Sequence, residues 1–169
     1  MTFNELGLKA RMVSRLNALG LTRPTPIQEQ AIPPALQGRD ILGIAQTGTG
    51  KTAAFGIPLI MALSKQQERP APRSARGLVL APTRELAGQI VQSLKGLTAD
   101  LSITLVVGGK SINAQAERLS RGTDILVATP GRLIDLMDRQ ALDLGQTRFL
   151  VLDEADQMLD IGFIHALRR

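Results

Sequence analysis

The most informative stretch of this sequence is Ala45-Gln46-Thr47-Gly48-Thr49-Gly50-Lys51-Thr52. An apolar run, Ile41-Leu42-Gly43-Ile44, precedes it, and a helix-compatible run from Ala53 to Leu63 follows. Strand, glycine loop and helix form the context of a phosphate-binding loop, in which backbone N–H groups and the positive helix end face an anion. We therefore predict that this stretch binds a polyphosphate, with Lys51 reaching the β- and γ-phosphates and the Thr52 hydroxyl ligating Mg²⁺.

Two details bear on this prediction. The generic pattern G-x-x-x-x-G-K-[ST] begins with glycine, whereas this stretch begins with Ala45. A Cβ at that position restricts the backbone but removes no phosphate donor. A flexible strand–helix turn would account for the glycines, but not for the Gly50-Lys51-Thr52 that ends the stretch.

Short apolar runs alternate with helical stretches along the rest of the chain. The runs at 77–81, 103–107, 124–128 and 149–152 predict buried strands, and the stretches at 84–98, 111–120 and 131–139 predict helices. Such alternation indicates an α/β fold, a mostly parallel sheet with helices on both faces. Ligands bind such sheets beyond the carboxyl ends of the strands.

The residues before the phosphate loop predict two helices. Leu8, Met12, Leu16 and Leu19 recur at helical spacing, and Gly20 is suited to end that helix. A second, short helix is expected from about Pro26 to Gly38, with an interruption around Pro33-Pro34 because proline lacks the N–H that a helix interior uses.

Composition excludes several classes of site. The chain has no cysteine and one histidine, His165, which argues against disulfides, thiolate metal sites and a histidine-based zinc site. The net charge of +5 permits contact with a polyanion, and the absence of Trp and Tyr argues against binding by base stacking. We expect a cytoplasmic protein, because no apolar run is long enough for a membrane span and the N-terminus lacks a secretory pattern.

An acidic pair follows the last predicted strand. The run Phe149–Leu152 leads directly into Asp153-Glu154-Ala155-Asp156. An apolar strand that ends in Asp-Glu, downstream of a phosphate loop, is typical of the acidic half of a P-loop ATPase site. Asp153 is the expected Mg²⁺ ligand opposite Thr52, and Glu154 is placed to orient and deprotonate the attacking water.

At this point the sequence resembles the DEAD-box family of ATP-dependent RNA helicases. The resemblance covers essentially the whole chain, and the phosphate loop in the form Ala-x-x-Gly-x-Gly-Lys-Thr is the one this family uses. The matching motifs follow in order: Phe3 with Gly20 and Pro24–Gln28 (the Q motif), Ala45–Thr52, Pro82–Ala87, Gly108-Gly109, Thr129–Arg132 and Asp153–Asp156. The run from Met158 to Phe163 resembles bacterial members, in particular the RhlE-like branch.

The resemblance implies how ATP is bound. The Gln28 amide offers one donor and one acceptor, which match adenine and not guanine, and Phe3 would stack on the adenine. The alternatives are an ordinary helix residue for Gln28 and a hydrophobic anchor for Phe3. The residues expected to bind the nucleotide are Phe3, Arg23, Gln28, Gln46, Thr47, Gly48, Thr49, Gly50, Lys51 and Thr52. Lys51, Asp153 and Glu154 are expected to be catalytic, with Mg²⁺ held by Thr52 and Asp153.

The resemblance also implies RNA contacts at the ends of the other strands. Glycine N–H groups with Arg and Thr side chains suit phosphate and ribose contacts that carry no sequence information. The residues expected to bind RNA are Pro82, Thr83, Arg84, Gly108, Gly109, Thr129, Pro130, Gly131 and Arg132. Two structural alternatives remain: Thr129-Pro130 also suits a helix start, and Arg84 can pair with Glu85 or Asp153.

We expect residues 1–169 to form the N-terminal RecA-like ATP-binding domain of such a helicase. The chain ends at Arg169, before the family's Ser-Ala-Thr motif, and the second RecA-like domain with its arginine fingers is expected to be its partner. This chain alone should bind nucleotide but be nearly inactive. The alternatives are a nucleotide-dependent RNA- or protein-binding module without unwinding activity, and a DNA-directed P-loop ATPase. Nothing in the sequence indicates a homo-oligomer.

Overall fold

The computed structural model describes residues 3–37, 51–65 and 69–153. After a 3₁₀ turn at Phe3–Leu6 come six helices: α1 Ala10–Ala18, α2 Pro26–Leu36, α3 Lys51–Lys65, α4 Arg84–Leu97, α5 Ile112–Leu119 and α6 Pro130–Asp138. The four strands are β1 Ala75–Leu80, β2 Ile103–Val106, β3 Thr123–Ala128 and β4 Phe149–Leu152. The predicted strand at 41–44, the loop up to Gly50 and the residues from Glu154 onward lie outside the described residues.

The chain divides into two compact units. One comprises Met1–Gln66 and Ser93–Ala99, and the other comprises Gln67–Gln92 and Asp100–Arg169. Helix α4 contributes residues to both units. Among the described residues, no helix has the length and apolar content needed to cross a bilayer.

The first unit contains α1, α2 and α3. Met12, Val13 and Leu16 form the buried side of α1, and Gly20 follows the helix with a φ of 79°. A positive φ is the backbone conformation that a helix-ending glycine supplies, so this prediction is confirmed. Helix α2 packs against α3.

The predicted interruption of α2 is wrong, because the helix runs through Pro33 and Pro34 to Leu36. Each proline lacks one N–H donor, so α2 loses two intrahelical bonds and keeps the others, and it also packs against α3. A proline φ near −65° is itself helical. Proline therefore costs α2 two hydrogen bonds without ending the helix.

The second unit is built on a parallel sheet with the strand order β2-β3-β1-β4. Parallel neighbours require crossover connections, which here contain α4, α5 and α6 in turn. The four predicted strands are thus confirmed to within two residues at either end. All four strands point the same way, so their carboxyl ends lie along one edge.

The centre of the sheet is buried on both faces, as predicted. Every residue of β3 is buried, as are five of the six residues of β1. One face packs in a core with residues from α5 and α6: Ala75, Leu78, Leu80, Val106, Leu119, Leu126, Ala128, Leu133, Leu136 and Leu142. β4 differs, because Leu150 is 53% exposed and Leu152 is 36% exposed. β4 is the edge strand of the described sheet, and its side chains alternate between half-buried and exposed.

The amino-terminal edge of the sheet is joined by one polar cluster. Nη1 of Arg76 donates to Oδ1 of Asp124 over 2.9 Å, and both side chains are nearly buried. The backbone N–H and the hydroxyl of Ser102 donate to Oδ2 of the same carboxylate over 2.9 and 3.2 Å. Because Arg76, Ser102 and Asp124 belong to β1, the start of β2 and β3, the cluster ties three strands together.

Candidate functional site

The carboxyl edge of the sheet carries the polar motifs singled out in the sequence. β1 leads to Pro82-Thr83-Arg84, β2 to Gly108-Gly109, β3 to Thr129–Arg132, and β4 to Asp153. The first three segments are joined by hydrogen bonds between their side chains and backbones. The structure therefore brings together residues that lie up to about fifty positions apart in the sequence.

Arg84 lies across the two glycines. Its Nη1 is 3.5 Å from the carbonyl oxygen of Gly108, a long hydrogen bond. Gly109 has a φ of 80°, and a Cβ at this residue would collide with Nη1 of Arg84. The described contact of Arg84 is thus with the glycine loop, not with Glu85 or Asp153. The positive φ favours glycine at position 109, and a Cβ there would displace the end of the Arg84 side chain.

Arg132 is held by the same loop and by α5. Its Nη1 donates to the carbonyl oxygen of Lys110 over 2.9 Å and to Oε1 of Gln115 over 3.0 Å. The side chain is 12% exposed, and its Nε lies 4.0 Å from Oδ2 of Asp135. Nη1 of Arg132 thus donates to two acceptors within this chain.

Gln115 was not among the residues that the sequence predicted for this site. It is 4% exposed, and its Nε2 donates to the carbonyl oxygen of Val107 over 3.0 Å. Its only sequence signal is position: Gln115 lies four residues before the buried Leu119 on α5, on the side of the helix that should be apolar. A buried amide there needs hydrogen-bond partners, and the loop after β2 supplies one of them.

Two threonines mark helix starts at this edge. Oγ1 of Thr83 accepts from the N–H of Leu86 over 3.2 Å, which caps α4. Thr129 precedes Pro130 at the first position of α6, and its side chain makes no capping bond. Thr129 and Pro130 therefore begin a helix, which is the structural alternative given for these residues. The Thr129 hydroxyl makes no hydrogen bond that caps this helix. Gly131 is exposed in the first turn of α6 with open space around it.

Asp153 is the acidic residue of this edge that the structure describes. It is 4% exposed, directly after β4, and its N–H donates to the carbonyl oxygen of Leu80 over 2.9 Å. Carboxylate and hydroxyl oxygens, as in Asp153 and Thr52, are hard ligands of the kind that Mg²⁺ prefers. In residues 3–37, 51–65 and 69–153, no group of three or more His, Cys, Asp or Glu side chains is arranged to hold a metal.

In the other unit, Gln28 and Thr25 form a capping box at the start of α2. Oε1 of Gln28 accepts from the N–H of Thr25 over 3.0 Å, and the N–H of Gln28 donates to Oγ1 of Thr25 over 3.4 Å. Gln28 is 3% exposed. The residue proposed to bind adenine thus also stabilises its own helix.

The remaining predicted nucleotide residues differ in exposure. Phe3 is 2% exposed, so its ring is already covered in this structure, as the hydrophobic-anchor alternative expects. Arg23 is exposed, and Lys51 and Thr52 lie half-buried in the first turn of α3. Gln46, Thr47, Gly48, Thr49, Gly50 and Glu154 lie outside the described residues.

A parallel α/β domain with its polar motifs at the strand carboxyl ends, and with Lys51-Thr52 opening a helix, defines a P-loop nucleotide-binding domain. Residues 25–169 match the family of DEAD/DEAH box helicases. The chain belongs to this family.

Similar proteins come from plants and bacteria. The chain is 50% identical over 162 residues to the chloroplastic DEAD-box ATP-dependent RNA helicase 3B of Zea mays, covering 94% of this chain and 22% of that protein. It is 46% identical over 166 residues to the ATP-dependent RNA helicase DeaD of Escherichia coli strain K12, covering 96% and 26%. The chain thus spans about a quarter of the length of the curated relatives it matches.

Two solved structures share the fold. The RNA helicase Prp28 from Chaetomium thermophilum bound to ADP superimposes with a TM-score of 0.89 at 42% identity, covering 98% of this chain and 41% of that chain. A DEAD box protein from the hyperthermophile Methanococcus jannaschii gives a TM-score of 0.85 at 37% identity, covering 99% and 45%. The predicted fold class, a RecA-like parallel sheet with helices, is confirmed.

Proposed function

We propose that the protein containing this chain is an ATP-dependent RNA helicase, and that residues 1–169 form its N-terminal RecA-like domain. The observation that carries this proposal is the network at the sheet edge, in which Arg84 donates to the carbonyl oxygen of Gly108 and Arg132 donates to that of Lys110, just after Gly108-Gly109. Together with Gly50-Lys51-Thr52, these groups suit a polyphosphate and a nucleic-acid backbone. The names of the relatives and the ADP in the Prp28 structure support the same assignment.

In the proposed reaction, water attacks the γ-phosphorus of ATP, the bond from this phosphorus to the β,γ-bridging oxygen breaks, and ADP and inorganic phosphate leave. Gln46–Gly50 supply backbone donors, Lys51 neutralises charge on the β- and γ-phosphates, and Glu154 orients and deprotonates the water. Thr52 and Asp153 would hold Mg²⁺, which when bound neutralises the phosphate charge. Gln28 would read the adenine edge, and Phe3 and Arg23 would complete the base-binding region.

RNA is proposed to bind at the carboxyl edge of the sheet in the second unit. The groups proposed to bind RNA are the Thr83 and Thr129 side chains, the Arg84 and Arg132 guanidinium groups, and the backbones of Gly108, Gly109 and Gly131, next to Pro82 and Pro130. Closure of a second RecA-like domain over ATP and RNA would bend one strand and separate a short duplex. We also propose a cytoplasmic location, and a place near the bacterial RhlE-like branch that is supported by the run Met158–Phe163.

The test is ATP hydrolysis by the full-length protein with and without single-stranded RNA, together with strand separation of a short RNA duplex. We expect hydrolysis that RNA stimulates and that DNA of the same sequence stimulates less, measured at one stated salt concentration. Glu154→Gln should retain ATP binding and lose turnover. Binding of ATP and RNA with no strand separation would instead identify a binding module, and equal stimulation by DNA would overturn the RNA assignment.

A further inference from the structure

The backbone from Val107 to Lys110 is held through its carbonyl oxygens. Nε2 of Gln115 donates to Val107 over 3.0 Å, Nη1 of Arg84 approaches Gly108 at 3.5 Å, and Nη1 of Arg132 donates to Lys110 over 2.9 Å. Three side chains from three different helices thus bind three carbonyls within four residues. This arrangement fixes the direction of the peptide groups in the loop.

Gln115 is the most buried of these three side chains. It is 4% exposed, and both ends of its amide are used, since Nε2 donates to Val107 and Oε1 accepts from Arg132. Gln115 therefore acts on the loop in two ways. It binds the loop directly through Val107, and it holds Arg132, which binds the loop through Lys110. Its burial also means that Gln115 is not itself a surface available to a ligand.

Arg132 is held against the loop through one of its nitrogens. Its side chain is 12% exposed, and Nη1 donates to the carbonyl oxygen of Lys110 and to Oε1 of Gln115. Within the part of the chain that the structure describes, its buried Nε has no hydrogen-bond partner. Gln115 therefore supplies a side-chain acceptor that holds this guanidinium against the loop.

The N–H groups of Gly108 and Gly109 differ from the carbonyl groups of the loop, which accept hydrogen bonds from side chains. Across residues 69–153, the N–H groups of Gly108 and Gly109 donate to no backbone or side-chain acceptor. Gly109 is exposed and adopts a φ of 80°, and no atom lies near the place of a Cβ on Gly108. Consecutive N–H donors in such a loop form a concave site for an anionic oxygen.

We infer that Gln115 is a positioning residue for RNA: it orients the Gly108-Gly109 backbone, directly through Val107 and indirectly through Arg132, so that the loop's N–H groups bind a backbone phosphate. The inference rests on the proposed function, because it takes RNA to be the ligand of this edge. It assigns to Arg132 an indirect part in RNA binding in addition to any direct contact.

The test compares Gln115→Met with the wild type in the full-length protein. Methionine has a similar volume but makes neither hydrogen bond. In the presence of a non-hydrolysable ATP analogue, we expect the Kd for a single-stranded RNA oligonucleotide to rise about fivefold to twentyfold. Because the loop's N–H groups are uncharged, they release no counterions when they bind a phosphate. The log–log slope of RNA affinity against salt should therefore stay close to that of the wild type. The ADP affinity measured without RNA should stay unchanged.

The control is Thr123→Val at the opposite edge of the sheet. The Thr123 hydroxyl is buried and hydrogen-bonded, so its removal also destabilises the unit, but it lies far from the loop along β3. We expect this variant to bind RNA as the wild type does. If Gln115→Met does not fold, Gln115→Asn replaces it, because an amide one methylene shorter cannot span Val107 and Arg132.

A double-mutant cycle with Arg132→Met tests the indirect route. If Gln115 acts partly through Arg132, the loss of affinity caused by Gln115→Met should be smaller when Arg132 is already replaced. An unchanged RNA affinity in Gln115→Met overturns the inference while leaving the proposed function intact. Equal losses of RNA and ADP affinity also overturn it, as they indicate a general structural role. A wild type that binds no RNA overturns both.

Discussion

Gly109 has a backbone conformation that favours glycine and lies against the end of the Arg84 side chain. Its φ of 80° is left-handed, and a Cβ there would collide with Nη1 of Arg84. In the left-handed region an L-residue costs about 1–2 kcal/mol relative to glycine, before any collision is counted. The glycine loop is thus shaped by the arginine that lies on it as well as by its own backbone.

We therefore expect Gly109→Ala to lower the free energy of unfolding by about 1–3 kcal/mol and to displace Arg84. Urea denaturation measures the first effect, and RNA affinity measures the second. Gly88→Ala is the matched control. Gly88 lies inside α4 with nothing near its Cβ position, so alanine there should raise the free energy of unfolding by about 0.5–1 kcal/mol. A Gly109→Ala variant as stable as the wild type would contradict this account.

Gln28 caps helix α2 and is also proposed to bind adenine, and one substitution can separate these two roles. Gln28→Glu keeps an oxygen for the N–H of Thr25 but loses the amide donor proposed to face adenine N7. We expect wild-type thermal stability with ADP affinity reduced about fivefold to tenfold, whereas Gln28→Ala should lose stability as well. Calorimetry with ADP and GDP provides the measurement. Unchanged ADP affinity in Gln28→Glu would leave Gln28 as a capping residue alone.

At the scale of the elements, the candidate site lies at the carboxyl ends of the strands, and a polar cluster joins the strands at their amino-terminal ends. The polar cluster of Arg76, Ser102 and Asp124 joins three strands at their amino-terminal ends, opposite the candidate site. Fixing the strands there keeps their carboxyl ends in register, where Arg84, Gly108 and Arg132 must meet. The polar cluster and the proposed RNA-binding site thus lie at opposite ends of the same strands.

Asp124→Ala is expected to lower the free energy of unfolding by about 2–4 kcal/mol, because it leaves a nearly buried Arg76 and the Ser102 N–H without this acceptor. Urea denaturation measures the change. Asp138→Ala is the control: this exposed carboxylate lies at the C-terminal end of α6, so its removal should change stability by less than about 0.5 kcal/mol. If the two variants lost the same free energy of unfolding, the polar cluster would not be what stabilises this end of the sheet.

At the scale of the whole molecule, the proposed reaction needs groups that the motifs of residues 1–169 do not include. Arginine fingers in phosphoryl-transfer proteins contribute factors of about 10³ to 10⁵ in rate. We expect a polypeptide of these 169 residues to bind ADP but to hydrolyse ATP slower than the full-length protein by about that factor. Steady-state hydrolysis with saturating RNA compares the two, and similar rates would show that this domain is catalytically sufficient.

The sequence alone was enough for the strands, the order of the helices and the family. Each strand is a run of apolar residues, and each motif follows its strand directly, so local patterns carry this information. The predicted interruption of α2 was wrong, because the two missing N–H bonds do not end the helix and its packing against α3 is not visible in the sequence. The capping box of Gln28 was missed although its signal is local: Thr25 precedes the helix start expected at about Pro26, and Gln28 follows three residues later.

What only the tertiary structure decided is which groups meet at the carboxyl edge of the sheet. Arg84 could have paired with a neighbouring acid, but it lies on Gly108 and Gly109. Arg132 and Gln115 are brought together by the packing of α5 and α6 beside the sheet. Motif residues are readable in the sequence because their type and spacing are local. Their hydrogen bonds are not, because they join segments whose proximity is created by the parallel sheet.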